Sequence, residues 1–179
     1  TGLPGNNEIH AEINYRIAND ALFAVLYLDI DNFKAFNDVY GFGRGDTAIK
    51  MIADILSDIV PAFGSNNDFV GHIGGDDFVV ITEPKDADEV CKNIIKEFDE
   101  RVPELYSSHD AKIGYISTKD RKGDIMRYPI MTLSIAAVSN EFRVLYSPIQ
   151  VGEIAAELKK KAKEYSTSVY LKDMRHQKQ

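Results

Sequence analysis

Two short stretches hold the residues best suited to chemistry: Asp29-Ile30-Asp31, and His72-Ile73-Gly74-Gly75-Asp76-Asp77-Phe78. In the second, apolar runs of strand type (Asp68-Phe69-Val70 and Val79-Val80-Ile81) flank a Gly-Gly pair and two carboxylates. That pattern predicts a β-hairpin with acids at its tip. Glycines there permit positive φ and let a bulky ligand come close to the backbone. Paired carboxylates beside them suit Mg²⁺, a hard cation that takes oxygen ligands and is commonly shared with substrate phosphates. A turn with solvated acids is the plainer alternative, and so short a motif also arises by chance. The rest of the chain has to decide.

Phe23 to Leu28 is a near-continuous apolar run, as expected of a central strand covered on both faces. Ligand sites in layered α/β proteins lie where such strands end. Asp31 has an ordinary explanation as the cap of a short helix over residues 32–37. Asp29 has none: a buried carboxylate needs a partner, and a metal ion would supply one. Lys34 and Asn37, three apart, share a helical face and can point at one ligand. Gly41 to Asp46 reads as a glycine-rich loop leading into a helix striped by Ala48, Ile52, Ile55 and Ile59, with Asp46 as its N-cap candidate and Pro61 at its end. The loop matches neither a P-loop nor a dinucleotide fingerprint.

These pieces are held by a predicted frame. Ile9, Ile13 and Ile17 stripe a first helix, capped by Asn6 or Asn7, with His10 on its surface. Residues 87–106 form a long amphipathic helix that Pro103 bends or stops. Residues 107–127 are polar, with an edge strand over Lys112–Ile116 and no assignable chemistry. Pro129–Val138 is a second long apolar strand. Ile154, Ala155, Leu158 and Ala162 stripe a last helix, whose Lys159-Lys160-Lys161 run reads as a solvated face favoured by the helix dipole. Ser168–Leu171 closes the sheet, and Met174–Gln179 is a frayed tail. The expected fold is α+β: a mostly antiparallel sheet of about five strands with helices packed around it.

Bulk properties bound the function. The 179 residues suit one domain, 44% hydrophobic and 27% charged, values ordinary for a soluble globular protein. No apolar run approaches the length of a membrane span, so no direct membrane insertion is expected. The one cysteine, Cys91, lies on an apolar helical stripe and reads as a buried structural thiol in a reducing, cytoplasmic setting. A net charge of −7 argues against nucleic acid as a partner, although metal ions can bridge an acidic protein to an anionic nucleotide. The opening Thr1-Gly2-Leu3-Pro4, already turn-like, suggests a single domain, 1–179, excised from a longer signalling chain.

Taken in order, Thr1-Gly2-Leu3-Pro4, Asp29-Ile30-Asp31-Asn32-Phe33-Lys34-Ala35-Phe36-Asn37-Asp38, Gly45-Asp46 and Gly74-Gly75-Asp76-Asp77-Phe78 resemble the GGDEF domains, in a GGDDF variant. Thr132-Leu133-Ser134-Ile135 and Ala162-Lys163 match more weakly. The resemblance implies a fold similar to polymerase palm and nucleotidyl cyclase domains. It implies diguanylate cyclase activity, in which two GTP condense to cyclic di-GMP and release pyrophosphate. By position, Asp29, the Ile30 carbonyl and Asp76 are the implied ligands of two Mg²⁺ per GTP, with Mn²⁺ a possible substitute. Asp76 is also the implied acceptor of the 3′-hydroxyl proton, and Asp77 the second signature acid, one methylene shorter than the usual Glu. Asn37 and Asp46 are the implied guanine contacts, and Lys34 and Lys163 the phosphate or transition-state cations.

Some positions differ from the family pattern. Phe42, at a substrate-binding position, replaces a usual His, His72 a usual Arg, and Thr167 a phosphate-binding Arg. Ser65 replaces the arginine of the inhibitory product motif whose aspartate is Asp68. Because each domain holds one GTP, the resemblance implies that catalysis needs a homodimer. A catalytically silent GTP-binding module is the alternative, favoured by Asp77 and Thr167. A pure interaction module would leave Asp29 buried and unpaired.

Overall fold

The computed structural model describes residues 1–119 and 123–176. The helices are α1 (Asn6–Ala18), α2 (Phe33–Tyr40), α3 (Phe42–Phe63), α4 (Ala87–Arg101), α5 (Ser108–Ile113) and α6 (Pro148–Ala162). The strands are β1 (Ala24–Asp31), β2 (Phe69–Gly74), β3 (Asp77–Thr82), β4 (Tyr115–Lys119), β5 (Ile125–Pro129), β6 (Thr132–Ser139) and β7 (Val169–Lys172). Five of them form one sheet in the order β2-β3-β1-β6-β7, antiparallel except for the β6–β7 pair. The expected α+β class and five-strand sheet are what the chain forms.

β1 lies at the centre, and its two faces explain its apolar run. Alternate residues point to opposite sides. Leu26, Leu28 and Ile30 pack with α2, α3 and α4, through residues such as Phe36, Ile52, Ile55 and Phe98. Val25 and Tyr27 pack on the other side, against Ile9 and Ile13 of α1 and Val151, Ile154 and Ala155 of α6. Continuing that second face along β1 leads to Asp29 and then Asp31. The apolar layer between sheet and α6 therefore ends in acids. Cys91 is fully buried on the inner face of α4, and burial pushes its thiol pKa up, which fits the structural role.

Several boundaries differ from expectation. α1 starts after Gly5, whose N–H donates to the Glu8 carboxylate at 3.1 Å, so neither Asn6 nor Asn7 is its cap. The expected loop over Gly41–Asp46 is instead the first turn of α3, because Gly41 takes φ +82° and lets one helix follow another at once. Pro61 sits inside the last turn of α3, where it removes one donor close to the helix end. The long helix ends at Arg101, and Val102–Leu105 continue as a 3₁₀ turn containing Pro103.

Residues 112 and 113 are helical, not strand. Ser107 caps α5 by accepting from the Asp110 N–H at 3.1 Å, Gly114 ends it at φ +81°, and β4 begins only at Tyr115. The run from Pro129 breaks at Ile130-Met131, so Pro129 belongs to the separate β4–β5 ribbon and not to β6. This region is docked, not loose. Tyr40 Oη donates to Asp110 and accepts from the Ser107 N–H, beside a cluster of Phe36, Tyr40 and Tyr106 rings. The tail is also held at first: Arg175 pairs with Asp173 at 2.6 Å and Glu157 at 2.7 Å. Residues 177–179 of the expected frayed segment lie outside the described residues.

Candidate active site

The β2–β3 hairpin turns at Gly75-Asp76, with positive φ at Gly74 and Gly75. His72 organises the tip. One ring nitrogen, Nε2, lies 2.9 Å from the Gly75 carbonyl, the other, Nδ1, 3.2 Å from Thr1 Oγ1, and the ring stacks on Phe78 at 4.3 Å between centroids. The His72 N–H donates to the Pro4 carbonyl, so the N-terminal turn braces the hairpin.

Register places Asp29 on β1 directly opposite Asp77 on β3. Like charges so placed destabilise a sheet unless something intervenes. The intervening group is Lys159, from the last turn of α6. Its Nζ stands 3.0 Å from Asp29 Oδ2 and 2.5 Å from Asp77 Oδ1. Lys163, four residues on and so on the same helical face, places its Nζ 2.6 Å from Asp29 Oδ1. That ammonium is out of line for a hydrogen bond, which leaves a buried Asp29 oxygen without an aligned donor.

Electrostatics follow the geometry. Burial works against the charge of Asp29, but the two lysines outweigh it and hold the carboxyl below its ordinary pKa. Burial likewise opposes the charge of Lys159, and Asp77 and Asp29 reverse the sign, raising its pKa. Asp76 is raised, first by burial and then by the charges of Asp29 and Asp77. Asp31 is raised by burial, against hydrogen bonds donated by Ser134 Oγ at 2.7 Å and Thr132 Oγ1 at 3.0 Å. Asp31 therefore does not cap α2: its oxygen turns to β6, and Asn32 precedes the helix at φ +63° with no side-chain cap bond.

Of the residues singled out in the sequence, Asp29, Asp76, Asp77 and Lys163 come together at this end of the sheet. Ile30 buries its side chain in the opposite layer, which fixes the backbone between the two acids of β1. Lys34, Phe42 and Asp46 stand exposed on α2 and the first turn of α3. Asp46 is inside α3 and so is not its cap. Asn37 faces Gly45: a Cβ there would overlap Asn37 Oδ1, a buried oxygen with no hydrogen-bond partner among the described residues.

Lys159 is what the sequence reading missed, taken for part of a solvated run. Its position four residues after Ala155 and three before Ala162, both buried, was the available signal.

The site opens into a cleft of about 310 Å³ lined by Asp31, Asn32, Pro129, Thr132, Lys163 and Tyr165. A groove of about 440 Å³ adjoins it past Asn32, bounded by Lys34, Asp38, Thr118 and Tyr128. A hollow of about 460 Å³ beside Asn140–Tyr146 is lined by none of the acids or lysines of the site.

Whether these residues fit a divalent cation turns on charge and lone pairs. Four acids meet two lysines, and the charged form of Asp76 is disfavoured by burial and by the charges of Asp29 and Asp77. An added cation would relieve each of these, so the donors fit in kind. No group of three or more acidic, His or Cys side chains among the described residues is gathered in metal-binding geometry. Any full coordination shell must draw on backbone or ligand oxygens.

Comparison with known proteins places the chain in a family. The model of the family described as diguanylate cyclase, GGDEF domain, matches residues 1–130. The chain is 32% identical over 111 residues to the bifunctional diguanylate cyclase/cyclic di-GMP phosphodiesterase MucR of Pseudomonas aeruginosa, covering 60% of this chain and 15% of that protein. It is 26% identical over 157 residues to the diguanylate cyclase DgcZ of Escherichia coli, covering 85% of this chain and 49% of that one. The chain thus spans at most about half the length of either relative. Among solved structures, the active GGEEF domain of a diguanylate cyclase from Vibrio cholerae superposes with a TM-score of 0.70 at 17% identity, over 97% of this chain and 99% of that one.

Proposed function

Because the chain belongs to the GGDEF family of diguanylate cyclase domains, we propose that its 179 residues act as one catalytic domain that condenses two GTP into cyclic di-GMP. The observation that carries the reading is the convergence of Asp29, Asp76, Asp77 and Lys163 beside the glycine tip and the open cleft. Asp29, the Ile30 carbonyl and Asp76 would hold Mg²⁺, or Mn²⁺ in its place, two ions per GTP. When bound, these ions supply positive charge to the triphosphate and to the charge that develops in phosphoryl transfer.

The chain's own residues do the rest. The cleft beside Lys163 receives the triphosphate, and Lys34 reaches it from the adjoining groove. Asn37 and Asp46, brought close by the contact of Asn37 with Gly45, read the guanine edge. Asp76, at the turn of the glycine tip, stands where it can take the proton of a 3′-hydroxyl as that oxygen attacks an α-phosphate and pyrophosphate leaves. Each hydroxyl must attack the nucleotide held by the other domain, so two copies face each other.

The test is a forcibly dimerised form of the chain incubated with GTP and Mg²⁺, with products identified by mass. Cyclic di-GMP should appear, and Asp76→Ala should abolish it while circular dichroism is unchanged. GTP binding without product would instead favour a silent, regulatory GTP-binding module.

A further inference from the structure

We propose that Lys159, which bridges Asp29 to Asp77, is a tethered cation that competes with the divalent metal for Asp29, so that metal loads efficiently only together with an anionic nucleotide. The proposal deepens the nucleotidyl cyclase reading and rests on it for the identity of the competing ligand.

The geometry is specific. A divalent ion needs lone pairs on the carboxylates it binds. Lys159 Nζ occupies one on Asp29 Oδ2 at 3.0 Å, and also donates to Asp77 Oδ1 at 2.5 Å. One ammonium thus spans the two cross-strand acids that most need a cation between them. The helix that carries it is held in place: Leu158 is buried, as are Ala155 and Ala162, and α6 is continuous from Pro148 to Ala162. Only about a fifth of the Lys159 side chain is exposed (21%). A competitor anchored in this way is present at high effective concentration, whatever the metal concentration in solution.

Asp29 is free for metal only in the fraction of molecules where Lys159 has swung away, and the apparent dissociation constant rises by the inverse of that fraction. What would draw the lysine away is a better anion. A triphosphate in the cleft beside Lys163 offers one, four residues along the same helix face. Metal and nucleotide would then enter as a linked pair, with the ammonium passing from carboxylate to phosphate. Without nucleotide, the lysine offsets part of the charge of the acid pair and holds the sheet end together.

The test uses Mn²⁺ alone, titrated against the chain and followed by electron paramagnetic resonance with no nucleotide present. Lys159→Met should bind Mn²⁺ at least about tenfold more tightly than the wild type. Adding Asp29→Asn to that variant should remove the gain. Equal or weaker binding by Lys159→Met, including no detectable binding by either protein, overturns the proposal. A non-hydrolysable GTP analogue should tighten Mn²⁺ binding more in the wild type than in the variant, and equal tightening would also overturn it.

Thermal melting is the second readout. The melting temperature of Lys159→Met should fall without metal and recover with millimolar Mn²⁺, by more than any shift seen for the wild type. If Lys159→Met does not fold, the milder Lys159→Gln takes its place. If neither folds, refolding on Mn²⁺ addition supports the proposal and failure to refold refutes it. None of these readouts depends on turnover. A wild type that makes no cyclic di-GMP yet shows the Mn²⁺ difference would sink the cyclase reading and leave the competition standing.

Discussion

Gly45→Ala separates stability from nucleotide recognition with a single methyl group. Gly45 is helical, the fourth residue of α3, so alanine fits its backbone. Glycine in a helix is less favourable than alanine by about 0.5–1 kcal/mol, and the substitution should recover part of that. The side chain nearest to it is that of Asn37, whose Oδ1 the new Cβ would overlap. That oxygen is buried without a hydrogen-bond partner among the described residues, so moving it breaks no bond in the free protein. Stability should therefore hold or rise, by up to roughly 2–4 °C in melting temperature for a chain of this size. Recognition should suffer. If Asn37 contacts guanine, turning its amide away loses one neutral hydrogen bond, about 1 kcal/mol, or roughly fivefold in affinity. Calorimetric titration with a GTP analogue, alongside thermal melting, measures both quantities. Unchanged affinity in a variant whose Asn37 has demonstrably moved would refute the assignment, and Asn37 would then be only the side chain that fits over Gly45.

Three further outcomes follow from the same geometry. GTP should be preferred to ATP by at least about tenfold, because adenine offers no matching donors to the Asp46 carboxylate, and Asp46→Ser should relax the preference; equal binding by the unmodified chain would count against Asp46. Added cyclic di-GMP should inhibit only competitively: Ser65 Oγ donates to Asp68 Oδ1 at 2.7 Å and Thr82 Oγ1 to Oδ2 at 2.9 Å, so Asp68 is engaged within the fold, while the nearby Arg16 is committed to Glu12 and to the Asn67 carbonyl, and strong non-competitive inhibition in initial rates would contradict this. Burial opposes the charge of Asp173, but hydrogen bonds from Arg175 and Arg143 outweigh it and lower its pKa; its stabilising contribution should be complete above the unfolded value near 4 and lost as pH falls through the folded one, and Asp173→Asn should flatten urea-measured stability across that acid range.

How legible each part was depends on the range of the interaction that fixes it. β1 could be read because burial on both faces leaves an unbroken apolar run, and the hairpin because two strand runs enclose paired glycines. Asp29 could be singled out because a carboxylate at the end of such a strand has no local partner. What could not be read was how neighbouring residues compete for backbone roles. Asp31 and Asp46 are both plausible caps by composition, yet Thr132 and Ser134 claim Asp31, and Gly41 lets α3 begin before Asp46 is reached. The ribbon of β4 and β5 was obscured because Gly114 ends a short helix where strand-type residues had already begun.

Asp77 and Lys159 show why the missing part of the site was not a matter of more careful reading. Taken singly, Asp77 is a signature acid one methylene short, and Lys159 is one of three lysines in a last helical turn, where basic residues complement the helix dipole. Neither observation points to the other, because the partners lie on elements far apart in the chain. The sheet register joins them. A carboxylate on the short aspartate stem stays close to β3 and directly across from Asp29, where a single ammonium from α6 touches both acids. The shorter acid and the inward lysine are thus one feature: two carboxylates set close enough to share a cation, and a helix that carries the cation to them.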